Sequence, residues 1–124
     1  MRTAVPVSKT SAGAVEPRLA LIAGVVEEMK GEALTILDLR SLTSFTDFFL
    51  LCSGTSDRHV QSIGETIVTR LKSHGIMPLG VEGHDSAQWI LIDYGAIVVH
   101  VFYPAAREFY QIEKFWADAP VISL

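Results

Sequence analysis

The residues that could do chemistry fall in two places. The first is the turn Ser53-Gly54-Thr55-Ser56, followed by Asp57, which joins an apolar run to a helical pattern. Amide groups at a helix N-terminus bind phosphate readily, so this turn is the best anion candidate in the chain. The Walker pattern and G-x-G-x-x-G are both missing. Asp57 would repel an anion, and Ser56 is a good helix cap, so a capped tight turn is the better reading. The second place is Ala87 to Phe102, AQWILIDYGAIVVHVF, which carries Trp89, Asp93 and His100 on an otherwise apolar stretch.

Other reactive side chains are scattered. His59, His74, His84 and His100 form no H-x-H, H-E-x-x-H or finger spacing. His84-Asp85 could ligate weakly, but a solvated loop is the better reading. Cys52 lies inside an apolar run, where a thiol packs as a small hydrophobe rather than acting as a nucleophile. Ser53 and Ser56 are outside any G-x-S-x-G elbow. Asp93 is a lone carboxylate beside a turn, which makes no acid/base pair.

The totals narrow the field. A chain of 124 residues with 49% hydrophobic content can build one domain with a real core. The formal net charge of −4 disfavours nucleic acid as the main partner and suits a basic protein. One cysteine fits a reducing compartment. No apolar run approaches the ~20 residues that cross a bilayer.

These residues need elements to position them. Ile90, Ile92, Ile97, Val99 and Val101 alternate with Trp89, Leu91, Asp93, Val98, His100 and Phe102 across Gly95, which predicts a β-hairpin. With Tyr94-Gly95 as the loop, Trp89 faces His100 and Leu91 faces Val98. One hairpin face is then pure core. The other is mixed, and is either covered by a helix or partly a binding surface. Upstream, Leu19, Ile22, Val25, Val26 and Met29 make a helical stripe from Pro17, with Gly31 as its stop. Leu34–Leu39 and Phe48–Ser53 read as strands, the second covered on both faces. Val60, Ile63, Ile67 and Leu71 mark a second helix ending at Gly75, and Leu79–Glu82 a short edge strand.

A last helix from Pro104 carries Phe109, Ile112, Phe115 and Trp116 as its apolar stripe. Arg107, Glu108, Glu113 and Lys114 make its wet side. The order α-β-β-α-β-β-β-α predicts a single α/β domain with a mixed five-stranded sheet flanked by helices. The second strand, its helix and the third strand make a right-handed crossover if those strands are parallel neighbours. Residues 1–15 read as a disordered tail, 16–120 as the domain and 121–124 as a C-terminal tail. A transit-peptide reading of the first residues has thin basic content against it.

Trp89 decides between the two readings of the mixed face. A strand Trp is more often core than interface, but a His opposite it suits a partly open protein-binding face.

Linked motifs then add a resemblance. Thr46-Asp47, CSGTSDRHVQSI (Cys52–Ile63), PLGVEG (Pro78–Gly83), SAQWILIDYG (Ser86–Gly95), VVHVF (Val98–Phe102) and FYQIEKFW (Phe109–Trp116) together resemble the ribosomal silencing factor, or Iojap-like, family. The likeness runs from about Arg18 to Pro120. Ala96 departs from it, where the family usually has an acidic residue.

The resemblance implies a nucleotidyltransferase-like fold that is not an enzyme and holds no metal or cofactor. Consistent with that, the Gly54–Ser56 turn survives while the next short strand offers only Glu82. It further implies cytoplasmic binding to the large ribosomal subunit through ribosomal protein fourteen. That binding blocks subunit joining and represses translation when nutrients are scarce. The docking residues it implies are Trp89, Leu91, Asp93, His100, Phe102 and Glu82. No membrane or DNA contact is expected, and a homodimer stays open. The alternative is a nucleotide-binding or nucleotidyltransferase-type enzyme using the Gly54–Asp57 turn.

Overall fold

Phe48–Ser53 forms β2, and all six of its residues are buried. So continuous an apolar strand needs cover on both faces. The computed structural model, which describes residues 16–122 and 124, shows how that cover arises. The tail expected at 1–15 lies outside the described residues.

The elements are α1 (Pro17–Glu28), β1 (Glu32–Asp38), β2, α2 (Asp57–Ser73), β3 (Gly80–Glu82), β4 (Trp89–Asp93), β5 (Ile97–Phe102), α3 (Pro104–Tyr110), α4 (Ile112–Phe115) and β6 (Val121–Ile122). The strands form one mixed sheet in the order β3-β4-β5-β2-β1-β6. The pair β2 and β5 is parallel and the remaining pairs are antiparallel.

On one sheet face, α1 and α2 bury Leu19, Ile22, Val26, Val60, Ile63 and Ile67 against the even-numbered residues of β2 and β4 and the odd-numbered residues of β5. Full burial of one such side chain stabilises by about 1.5–3 kcal/mol, so this layer dominates the fold. On the other face, Leu37, Phe49, Leu51, Val98 and Phe102 pack with Ala106 and Ala119, flanked by Trp89, Leu91, Ile112 and Trp116.

The structure corrects several sequence expectations. The sheet has six strands instead of five, because Val121 and Ile122 pair with Leu37 and Ile36 rather than trailing as a tail. Ile122 is buried there, and a two-residue strand is too short to carry a periodic signal. The strand beside β2 is β5, not β3. The antiparallel run β3-β4-β5 folds back so that only its last member reaches β2.

The first helix ends at Glu28, and the left-handed residue that follows it is Lys30 at φ 61°, not Gly31. Gly31 is needed for space, since a Cβ there would lie 2.7 Å from Val26 Cγ1.

The hairpin forms with a register two residues from the one expected. Trp89 pairs with Phe102 and Leu91 with His100. Tyr94 N–H donates to Ile97 O at 2.8 Å, so Gly95 and Ala96 make the loop, with Gly95 at φ 84°. A slip of two preserves every side chain's face. The turn is tied down by Thr46 Oγ1, which donates to Gly95 O at 2.9 Å, and by the Asp47 and Phe48 amides, which both donate to Ala96 O.

The single last helix is in fact two. Gln111 takes left-handed angles, φ 49° and ψ 48°, and breaks it. Arg107, expected on the wet side, turns inward with a side chain only 12% exposed. Its guanidinium grips Glu113 through Nε at 2.9 Å and Nη2 at 2.8 Å, and donates to Ser53 Oγ at 3.0 Å and Thr35 Oγ1 at 3.1 Å. That clamp joins α3, α4, β1 and β2.

Candidate docking surface

The face left uncovered by α1 and α2 is closed over β5 and β2 but opens toward β4 and β3. Trp89 sits at the boundary, half-buried. Its indole stacks on Phe102 at 5.2 Å between centroids and meets Tyr110 at 4.9 Å. Trp89 Nε1–H donates to His100 Nδ1 at 3.0 Å. The one polar atom of the indole therefore points inward, and what Trp89 leaves at the surface is ring carbon.

His100 is 2% exposed and lies edge-on to Phe49, with centroids 4.4 Å apart. Burial, with the Arg107 charge adding to it, pushes its pKa down to about 4. The ring is thus neutral near pH 7, which leaves Nδ1 free to accept from Trp89. The proton then sits on Nε2, a buried atom with no hydrogen-bond partner among the described residues.

The six expected docking residues divide into two layers. Trp89, Leu91 and Asp93 are half-buried and Glu82 is exposed, all on the open side. Leu91 stands between Glu82 on β3 and His100 on β5. Asp93 also holds the turn, accepting Gly95 N–H through Oδ1 at 2.8 Å. Phe102 and His100 have almost no surface, because β5 is an inner strand with α3 above it. They form the floor on which Trp89 and Leu91 rest.

Sequence reasoning missed the most exposed rings. Phe109 is 80% exposed, Phe115 79%, Phe45 63% and Tyr110 54%. Of the apolar stripe Phe109, Ile112, Phe115 and Trp116, only Ile112 and Trp116 pack inward. Spacing carries no signal for this, since Phe115 and Trp116 lie three and four residues from Ile112 and both spacings fall on one helix face.

The rings form a connected path. Phe109 touches Tyr110 at 5.0 Å, and Tyr110 touches Trp89. Farther along, Phe49 meets Trp116 at 5.9 Å, and Trp116 meets Phe115 at 5.4 Å and Phe45 at 6.1 Å.

Four amides in the Gly54–Asp57 turn and at the start of α2 are committed. Gly54 N–H goes to Phe102 O, Thr55 N–H to His59 Nδ1 at 2.8 Å, Arg58 N–H to Asp57 Oδ1 at 2.7 Å and His59 N–H to the Ser56 cap at 3.0 Å. His59 Nε2 in turn donates to Met29 O at 2.7 Å. Gly54 is required because a Cβ would lie 2.8 Å from Val60 N. Ser56 and Gly54 thus both have a structural use, as the α2 cap and as the close contact to Val60.

Cys52 is buried, and desolvation pushes its thiol up to about 12, so it is no nucleophile near neutral pH. His84 sits on the surface with Nε2 2.6 Å from Glu65 Oε2, a hydrogen bond that raises its pKa. Among the described residues no three His, Cys, Asp or Glu side chains gather to hold a metal ion. No described helix is long and apolar enough to cross a membrane.

Comparison with known proteins finds relatives that match most of the chain. The family described as "Ribosomal silencing factor during starvation" matches residues 13–124. The chain is 38% identical over 106 residues to the ribosomal silencing factor RsfS of Bacillus subtilis, covering 86% of this chain and 90% of that protein. A solved Chromobacterium violaceum structure is similar with a TM-score of 0.80 at 35% identity, over 82% of this chain and 85% of that one. A Bacillus halodurans structure gives 0.77 at 36% identity, over 86% and 96%.

Proposed function

Since the chain belongs to the ribosomal silencing factor family, we propose that it regulates translation by docking on the large ribosomal subunit in the cytoplasm. The partner in this reading is large-subunit ribosomal protein fourteen, and the mechanism is steric. A bound copy occupies the surface that the small subunit needs, so subunits fail to join and translation falls when nutrients are scarce. No bond is made or broken.

The observation that carries this reading is the Trp89 indole, half-buried on the open part of the sheet with its polar atom turned inward. A ring held by packing presents apolar surface with little side-chain entropy left to lose on binding, which is the physical profile of a protein-docking anchor. Leu91 extends the apolar centre, and Glu82 and Asp93 supply an acidic rim for a basic partner.

The same reading treats the fold as nucleotidyltransferase-like without the chemistry. The committed Gly54 and Thr55 amides and the Ser56 cap on the His59 amide weigh against the alternative, a nucleotide-binding enzyme.

The test is affinity for isolated large subunits and for purified ribosomal protein fourteen, alongside a subunit-joining assay. Tight binding to both, with joining inhibited in proportion to occupancy, is expected. Binding to neither would overturn the proposal.

A further inference from the structure

The helix break at Gln111 points to a second half of the docking surface. Phe109 is 80% exposed and Phe115 79%, on two short helices either side of a residue in left-handed geometry. A non-glycine residue in that region costs free energy, and persists only when its surroundings over-determine it. The surroundings here are the Arg107 clamp, bidentate to Glu113 across the break and anchored to Ser53 and Thr35.

A continuous helix would not hold this geometry. The break lets Tyr110 lie on Trp89 at 4.9 Å while Trp116 lies on Phe49 at 5.9 Å. With those two rings seated, Phe109 and Phe115 stand outward against them, at 5.0 Å from Tyr110 and 5.4 Å from Trp116. Large rings exposed to this extent lose hydrophobic free energy unless something covers them.

We infer that the ridge Phe109–Tyr110–Phe115 is part of the docking surface and seats on the same ribosomal protein as Trp89, with Arg107 as the positioning residue that holds it out. This rests on the docking function proposed above.

Two observations choose the occupant. Phe109 is continuous with the Trp89 anchor through Tyr110, and Phe115 through Trp116, Phe49 and His100, so a partner covering the anchor reaches both. The exposed side chains near the hairpin include the acidic Glu82 and Asp85, and the whole chain carries −4, which suits a basic protein and repels nucleic acid. Exposed rings can also stack on unpaired bases, but such sites line positively charged grooves.

The experiment uses Phe109→Ser, Phe115→Ser and the double variant, with Trp89→Ala beside them. Both phenylalanines are exposed, so melting temperatures should stay within about two degrees of the parent. Each single change should weaken affinity for isolated large subunits and for the purified partner protein by tenfold or more. Arg107→Gln should weaken binding in the parent but add little in the double variant, a coupling that general destabilisation would not produce.

If the phenylalanine variants bind like the parent while Trp89→Ala loses binding, the ridge inference fails and the docking function stands. If all of them bind like the parent, the docking surface itself is wrong. A selective loss of affinity for naked ribosomal RNA, or a changed oligomeric state with partner affinity intact, would also overturn the ridge inference.

Discussion

Trp89 Nε1–H donates to His100 Nδ1 at 3.0 Å, and this bond turns a potential polar surface residue into an apolar anchor. It is also separable from the ring itself. Trp89→Phe keeps much of the apolar ring and loses the donor, so stability should fall by about 1 kcal/mol while most large-subunit affinity remains. Trp89→Ala removes both, and should cost roughly 2 kcal/mol or more of binding. Urea unfolding and an affinity series measure the two effects. Equal losses of binding in both variants would show that the hydrogen bond, not the ring, is what the partner needs.

His100 makes stability depend on pH with a definite sign. Burial holds its folded pKa at about 4, whereas an unfolded histidine titrates near 6.5. Between those values the unfolded chain binds the proton and the folded chain does not. Stability from this group is therefore complete above about pH 6.5, falls as pH drops, and is lost below about pH 4; the total is on the order of 3 kcal/mol. His84 has a raised pKa and acts oppositely, its contribution being present below about pH 6.5 and lost as pH rises through the folded value. Subtracting the urea stability of His100→Gln from that of the parent at pH 7, 5.5 and 4.5 removes His84. The difference should shrink with falling pH.

Arg107→Ala should destabilise the domain by about 2 kcal/mol, less than the figure for a fully buried pair because Glu113 is partly wet. Glu113, Ser53 and Thr35 all lose a partner together. Arg107→Lys should recover little, since an ammonium cannot make the two-pronged contact with Glu113. Chemical denaturation distinguishes this from a loose surface pair, for which both variants would match the parent.

Ser56→Ala should cost about 1 kcal/mol by removing the α2 cap, with ribosome binding otherwise unchanged. Gly54→Ala should cost more, since the added Cβ meets the Val60 backbone. Magnesium nucleotide should not shift the parent's melting temperature, because a ligand bound by the native state alone must stabilise it. A shift that disappears in a folded Ser56→Ala variant would restore the turn as a ligand site.

Binding to large subunits should depend weakly on salt. An apolar centre with a few exposed rim pairs is only modestly screened, whereas displacing phosphate counterions gives a steep slope. A salt series on subunits, partner protein and naked ribosomal RNA separates these. A steep slope with tight RNA binding would contradict docking on protein.

Local sequence determined the longer elements and the side chains' faces. The unbroken apolar run Phe48–Ser53 demanded a strand covered twice, and the alternation in Trp89–Phe102 assigned each side chain a face that survived a two-residue slip in register. The Ser56 cap and the Gly75 stop were equally legible, because capping and backbone preference act within a few residues. Tertiary structure decided what distant segments do to one another. Val121–Ile122 became a strand only because β1 offered an edge. Gln111 went left-handed, and Phe109 and Phe115 went to solvent, with Arg107 bound to Ser53 and Thr35, 54 and 72 residues away in the chain. The hairpin pattern left the His100 face either covered or open, and its place on an inner strand under α3 buries it. Periodicity reports which face a residue occupies; whether that face is covered depends on long-range packing that no local pattern encodes.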